Sequence, residues 1–146
     1  MSASHVVQVS DLQFAYRADR PVLRGVSFTA TAGKLLCLLG SNGSGKTTLL
    51  RCLLNRLKPT GGQILLDGRP VCKHSPRELA RLLAYVPQVP SSAFGFTVQE
   101  LVLMGRFAHA GALGMTGEQD MAVAKLAMQM TATEAFAHRT LDELSG

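Results

Sequence analysis

The stretch from residue 35 to residue 57 constrains this chain more than any other. A continuous apolar run, Leu35-Leu36-Cys37-Leu38-Leu39, passes straight into Gly40-Ser41-Asn42-Gly43-Ser44-Gly45-Lys46-Thr47, and Leu49, Leu50, Leu53, Leu54 and Leu57 then recur at helical spacing. An apolar run without alternation is the pattern of a parallel strand covered on both faces. The leucines predict a helix that lasts until Lys58-Pro59-Thr60-Gly61-Gly62 stops it. Strand, glycine-rich turn and helix, in that order, call for an α/β core.

The turn fits the P-loop pattern, and its position between an apolar strand and a helix is what the mechanism of such a loop requires. Gly40, Gly43 and Gly45 let the backbone turn its N–H groups inward around phosphate oxygens, with Ser41, Asn42 and Ser44 between them, at a helix N-terminus that itself favours an anion. Lys46 supplies a point charge for the β- and γ-phosphates, and its ammonium is expected to be solvated when no phosphate is present. Thr47 offers a hydroxyl to Mg²⁺, and Thr48 reaches toward the α-phosphate. The ligand this implies is a magnesium-bound nucleoside triphosphate, and loops of this kind serve GTPases, kinases and motors as well as transporters.

Upstream, residues 6–9 and 12–16 alternate as two short strands split by Ser10-Asp11, and residues 26–30 read as a third, making an antiparallel edge layer. Ile64-Leu65-Leu66 runs into Asp67-Gly68, a strong hairpin signal, with the return strand beginning at Val71. Ser75-Pro76-Arg77-Glu78 combines an N-cap serine, a first-turn proline and a capping-box glutamate, predicting a helix to about Leu82. A further apolar strand, Leu83-Ala84-Tyr85-Val86, ends at Pro87-Gln88-Val89-Pro90, after which the pattern turns helical. Thr97-Val98-Gln99-Glu100 and Thr131-Ala132-Thr133-Glu134 both read as capping boxes, and residues 118–130 as a helix amphipathic through Met121, Ala124, Leu126 and Met128. The expected division is residues 1–90, an α/β nucleotide-binding core with an antiparallel β subdomain, and residues 91–146, a helical subdomain.

Composition narrows the function classes. A net charge of +5 spread over scattered arginines and lysines makes no continuous basic stripe, so nucleic acid is not an expected partner. No apolar run approaches the roughly 20 residues that span a bilayer, and the start, Met-Ser-Ala-Ser-His, lacks a basic region followed by an apolar one, so a cytoplasmic location is expected. Cys37, Cys52 and Cys72 share no metal-binding spacing and sit in apolar runs, which predicts buried, reduced thiols. The histidines show no ligand spacing either, so any metal should arrive with the nucleotide.

No Asn-Lys-x-Asp guanine-reading motif is present. Instead, Leu12-Gln13-Phe14-Ala15-Tyr16 with Val22-Leu23-Arg24-Gly25-Val26-Ser27-Phe28, then the P-loop, Tyr85-Val86-Pro87-Gln88 and the final Leu144-Ser145-Gly146 resemble, in order and spacing, the ATP-binding subunits of ABC transporters. The resemblance implies a RecA-like P-loop core with an antiparallel β layer and a helical subdomain, of which the C-terminal part of the core is not included. It implies that Tyr16 stacks on the adenine, that Gln88 ligates Mg²⁺ and orients water, and that Ser145 and Gly146 open the signature sequence that caps the γ-phosphate held by a second ATPase subunit. Lys46 and Gln88 are then the catalytic candidates. Partners implied are transmembrane permease subunits, a second copy of the ATPase and, indirectly, a periplasmic or extracellular substrate-binding protein, with the subunit peripheral on the cytoplasmic membrane face. The stretch from Phe96 through Val102, followed by Met104-Gly105-Arg106-Phe107, resembles importers of the iron-siderophore, haem and cobalamin type. The loop from Ser91 to Phe96, with Phe94 and Phe96, is expected either to anchor on the helical subdomain or to meet a short helix of the permease.

Downstream of the signature the family has an acidic strand, a loop crossing the dimer and a histidine, and these residues do not include them. Ile64-Leu65-Leu66-Asp67 could imitate the acidic strand, but Gly68 stands where the catalytic glutamate belongs and Asp-Gly suits a hairpin. Two functions therefore stand side by side: an importer ATPase, and a truncated nucleotide-binding module that holds ATP without hydrolysing it. An ABC-like ATPase of nucleic-acid repair is disfavoured by residues 88–107.

Overall fold

The computed structural model describes residues 6–88, 95–110 and 117–144. The chain divides into two compact units, Met1–Leu79 and Ala80–Gly146. The first is organised on a four-stranded antiparallel sheet in the order β2-β1-β3-β4, made of β1 (Val7–Arg17), β2 (Arg20–Ala30), β3 (Gly61–Leu66) and β4 (Arg69–Pro70). Helix α1 (Lys46–Leu53) packs against β2.

The two short strands expected before residue 17 are one strand with a bulge. Asp11 adopts φ 46°, and the register of β1 slips between Val9 and Leu12 against β2 and between Ser10 and Gln13 against β3. A one-residue slip moves every later side chain to the other face, so the bulge lets Val9 and Leu12, three apart, both point into the core. Leu12 and Leu66 are fully buried there, each worth roughly 1.5–3 kcal/mol relative to exposure. The Asp67-Gly68 hairpin forms as expected: φ is 52° at Asp67 and 77° at Gly68, and the Asp67 carboxylate accepts the Val6 N–H at 2.8 Å. The return strand starts at Arg69, not Val71, which begins a 3-10 turn, Val71–Lys73.

Helix α1 is shorter than its leucine pattern. It ends at Leu53, because Asn55 takes a left-handed φ of 55° and its N–H turns back to the Cys52 carbonyl. The larger departure concerns the apolar strands. Residues 34–40 and 83–87 belong to no strand, and Leu35, Leu39 and Val86 are 92%, 89% and 90% exposed. A strand exists only through its ladder partners, and the described residues supply none for either run. Of the three cysteines, Cys52 is buried, with its thiol pKa pushed up by burial, whereas Cys37 and Cys72 are exposed.

Helix α2 (Pro76–Leu82) begins where the sequence places it. The Glu78 carboxylate accepts the Ser75 N–H at 2.6 Å, the Glu78 N–H reaches the Ser75 hydroxyl at 3.2 Å, and Arg69 donates to the other carboxylate oxygen at 3.1 Å. The Ser75 backbone bond first, then the Ser75 hydroxyl and Arg69, hold the Glu78 carboxyl down from an ordinary 4.5 to about 2. A carboxyl depressed by folding contributes stability that is present above its unfolded pKa and lost as pH falls through the folded one. Acid titration of the folded chain between pH 4.5 and about 2 should therefore show a stability decline that is shallower in Glu78→Gln. Parallel declines in the two proteins would remove Glu78 from the linkage.

The second unit contains α3 (Val98–Met104) and α4 (Glu118–Met130), packed through Val98, Met128 and Ala137 with Val102, Leu141 and Leu144 against them. Thr97 closes its capping box with Glu100 as expected. Thr131 does not open one: it is the C-cap of α4, and its hydroxyl donates back to the Ala127 and Met128 carbonyls at 3.0 and 3.2 Å. Glu134 instead pairs with Lys125 at 3.6 Å. Thr140 and Glu143 make a further capping box, at the start of the 3-10 turn Leu141–Glu143. The buried stripe of α4 is narrower than its pattern, with Ala124 and Met128 covered but Met121 and Leu126 exposed. Arg106, just past α3, donates to Asp120 in the first turn of α4 at 2.9 Å, tying the two helices together and holding that carboxyl below its ordinary range.

Candidate functional site

The loop 40–45 ends in helix α1, and its three glycines stand in different local settings. Gly43 takes φ 82°, a backbone conformation that side chains resist, with open space around it. Gly45, the N-cap of α1, takes φ 95°, and a Cβ there would also crowd the Val22 and Leu23 side chains at 3.1 Å. Gly40 brings the backbone close to Ser44, whose hydroxyl, 2.6 Å from where a Cβ would stand, would have to rotate away. Val22 and Leu23, which seat the loop on β2, are positioning residues that sequence reasoning gave no role. Their signal in the sequence is membership of the Val22-to-Phe28 stretch that carries the family resemblance.

Within the loop the Ser44 N–H bonds the Ser41 carbonyl at 3.2 Å, and the first bond of the helical ladder runs from the Leu49 N–H to the Gly45 carbonyl at 2.8 Å. The N–H groups of Lys46, Thr47 and Thr48 thus stand at the open end of the helix, where no preceding carbonyl accepts them. No acidic residue occupies the first turn of α1, so the partial positive charge of that end is not neutralised from within the helix. The Lys46 ammonium is not simply solvated, contrary to expectation. It donates to the Gly40 and Ser41 carbonyls at 2.7 and 2.8 Å, which holds the charge across the mouth of the loop. Thr47 is exposed beside it and Thr48 is buried.

Tyr16, at the end of β1, is 57% exposed, and its hydroxyl lies 3.4 Å from the Thr48 hydroxyl. The fold therefore brings Tyr16, Gly40 through Gly45, Lys46, Thr47 and Thr48 together in the first unit, although 24 residues separate Tyr16 from Gly40 in the chain. Gln88 is exposed and belongs to the second unit. Ser145, Gly146 and the loop residues Ser91 through Phe94 lie outside the described residues, while Phe96 is 41% exposed. Among the described residues no helix is long and apolar enough to cross a membrane.

A glycine cradle closed by a lysine at a helix N-terminus, fed by an antiparallel sheet that presents an aromatic ring, is the arrangement of a nucleotide-binding cassette. Residues 23–146 match the ABC transporter family, and the chain belongs to that family. It is 36% identical over 140 residues to a "probable siderophore transport system ATP-binding protein" of Bacillus subtilis (strain 168), covering 96% of this chain and 50% of that protein. It is 37% identical over 131 residues to a hemin import ATP-binding protein of Myxococcus xanthus (strain DK1622), covering 90% of this chain and 48% of the relative. The crystal structure of a nucleotide-free ATP-binding cassette from an ABC transporter superposes with a TM-score of 0.80 at 22% identity, over 97% of this chain and 59% of that one. The fold is accordingly the α/β P-loop fold of ABC ATPases. The chain spans about half the length of the curated relatives it matches.

Proposed function

We propose that these residues form the ATP-binding portion of an ABC importer subunit, which couples ATP binding and hydrolysis to uptake of an iron chelate, haem or a cobalamin-like compound. The observation that carries the reading is the Lys46 ammonium held by two carbonyls of a glycine loop at the N-terminus of α1. The fit to a nucleoside triphosphate is chemical: unclaimed N–H groups, a lysine charge and glycines at positive φ that turn the backbone inward. Gly40, Ser41, Asn42, Gly43, Ser44, Gly45 and Lys46 would hold the phosphates, Thr47 and Gln88 the Mg²⁺, and Tyr16 the base. The magnesium ion, when bound, neutralises charge developing on the phosphates. Thr48 would serve the α-phosphate through its backbone N–H at the open end of α1, its hydroxyl being turned to Tyr16. Ser145 and Gly146 would reach the nucleotide of a second subunit. The siderophore and hemin systems named for the relatives support the substrate class. Permease subunits and a cytoplasmic, membrane-peripheral site follow from the same reading, as does division of labour between residues 1–90 and 91–146, a boundary later than the Leu79/Ala80 division between the compact units.

A second reading, specific to the 146-residue polypeptide by itself, is nucleotide binding without turnover. Its support is the first turn of α1, which carries no acid, and Asp67, whose carboxylate is spent on the hairpin at the Val6 N–H. Positioned phosphate still needs a group that orients or deprotonates the attacking water. Phosphate release from saturating Mg-ATP should stay at the buffer rate. Release that Lys46→Ala abolishes would overturn this second reading and leave the first standing.

A further inference from the structure

We propose that Thr48 and Phe14 are positioning residues for Tyr16, fixing the ring that serves as the platform for the nucleotide base, with Thr48 acting through its hydroxyl. The inference rests on reading residues 40–48 as a nucleotide site, and it concerns how an exposed ring in the first unit is kept in one orientation.

Tyr16 is 57% exposed at the end of β1, so solvent places little restraint on its side chain. Two contacts do. Phe14 lies two residues earlier on β1, and the rings meet at right angles, with centroids 4.9 Å apart and planes at 85°. Phe14 is itself buried in the core, so its side of the pair is immobile. Whichever ring supplies the edge, at least one face of Tyr16 stays uncovered. The second contact is the Thr48 hydroxyl, 3.4 Å from the tyrosine hydroxyl across 32 residues of chain.

Thr48 is 7% exposed and is the buried polar side chain among the described residues. A buried hydroxyl needs a partner, and a helical threonine commonly finds one in the carbonyl a turn earlier. Here the partner the fold supplies is Tyr16. Because Thr48 lies two residues beyond Lys46 on α1, the hydroxyl pair links the helix that carries the phosphate loop to the aromatic ring on β1. The ring is pinned at both ends, by Phe14 at its body and by Thr48 at its tip. Such a ring stacks with less loss of side-chain freedom, and stacking is tolerant of base identity.

The test compares Mg-ATP, Mg-GTP and Mg-tripolyphosphate affinities of the 146-residue chain. Tyr16→Phe keeps the π-face and removes only the hydroxyl; Thr48→Val removes the other hydroxyl at nearly constant shape. Each should weaken ATP and GTP binding about threefold, as loss of one modest hydrogen bond implies, and leave tripolyphosphate binding unchanged. The double variant should be no weaker than either single one, Thr48→Ser should restore wild-type affinity, and Phe14→Leu should weaken both nucleotides without touching tripolyphosphate. Two results would overturn the proposal. One is Thr48→Val weakening tripolyphosphate as much as ATP, which would put Thr48 at the phosphates; the other is additive losses in the double variant. If instead Lys46→Ala leaves tripolyphosphate binding intact, the nucleotide-site reading itself fails.

Discussion

Replacing Lys46 with alanine is expected to lower Mg-ATP affinity by about 10- to 100-fold while the chain keeps its fold. A hydrogen bond to a charged group contributes about 1.5–3 kcal/mol, and each 1.4 kcal/mol is a factor of ten. The fold should survive because Lys46 stands at the first position of α1, makes its bonds to the Gly40 and Ser41 carbonyls, and contributes nothing to the buried face of Leu49 and Cys52. Those two bonds also hold the loop closed on the ammonium, so alanine removes both the charge and a brace. Lys46→Arg should rescue little, since a planar fork does not fit a site shaped by two carbonyls around a point charge. Equilibrium titration checks the affinity and thermal melting checks the fold. Wild-type affinity in a folded Lys46→Ala protein would remove the loop from nucleotide binding.

The largest expected loss of stability is at Gly62, where alanine should cost at least about 3 kcal/mol. Gly62 takes φ 74°, and a Cβ there would collide with the Asp11 carbonyl and with the carbonyl of Ser10. Both obstacles are backbone, pinned by the β1 bulge, and the Asp11 N–H is itself tied to the Ser27 hydroxyl at 2.8 Å. Neither can retreat without opening the β1–β3 ladder. Gly68→Ala is the control: its φ of 77° resists a side chain, but nothing lies within 4 Å, so only about 1–2 kcal/mol should be lost. Urea unfolding of both variants measures the difference. Equal losses would show that conformational preference alone, and not the bulge, makes Gly62 necessary.

These two glycines mark the boundary of what was legible in the sequence. Asp67-Gly68 announces itself, because two adjacent residues with positive φ between apolar runs make a hairpin wherever they occur. Gly62 reads only as a helix stop after Pro59, since its real partner, the bulge at Asp11, is distant in the chain. Ser10-Asp11 was visible as an interruption, yet a break between strands and a bulge within one strand leave the same local trace. Local signals also located α2 and α3, whose caps lie within four residues of each other. Thr131 failed as a cap for a related reason: its hydroxyl had nearer acceptors in the Ala127 and Met128 carbonyls.

The site was legible where chemistry depends on letters in a row and opaque where it depends on assembly. Gly40 through Thr47 could be named from the sequence, and the fold places its three glycines in different local settings. The Tyr16–Thr48 pairing could not be read, because no pattern connects a strand end to a helix 32 residues away. The apolar runs at Leu35 and Tyr85 carry the composition of covered strands, but coverage is a property of neighbours. Leu35, at 92% exposure, calls for covering groups that the described residues do not provide.

The central claim is that residues 16 and 40–48 bind a magnesium nucleotide, and calorimetric titration of the 146-residue chain with Mg-ATP tests it most directly. The account predicts saturable binding at one site per chain, displaced by ADP and weakened by removing Mg²⁺. A folded chain that shows no heat of binding at millimolar Mg-ATP would contradict it.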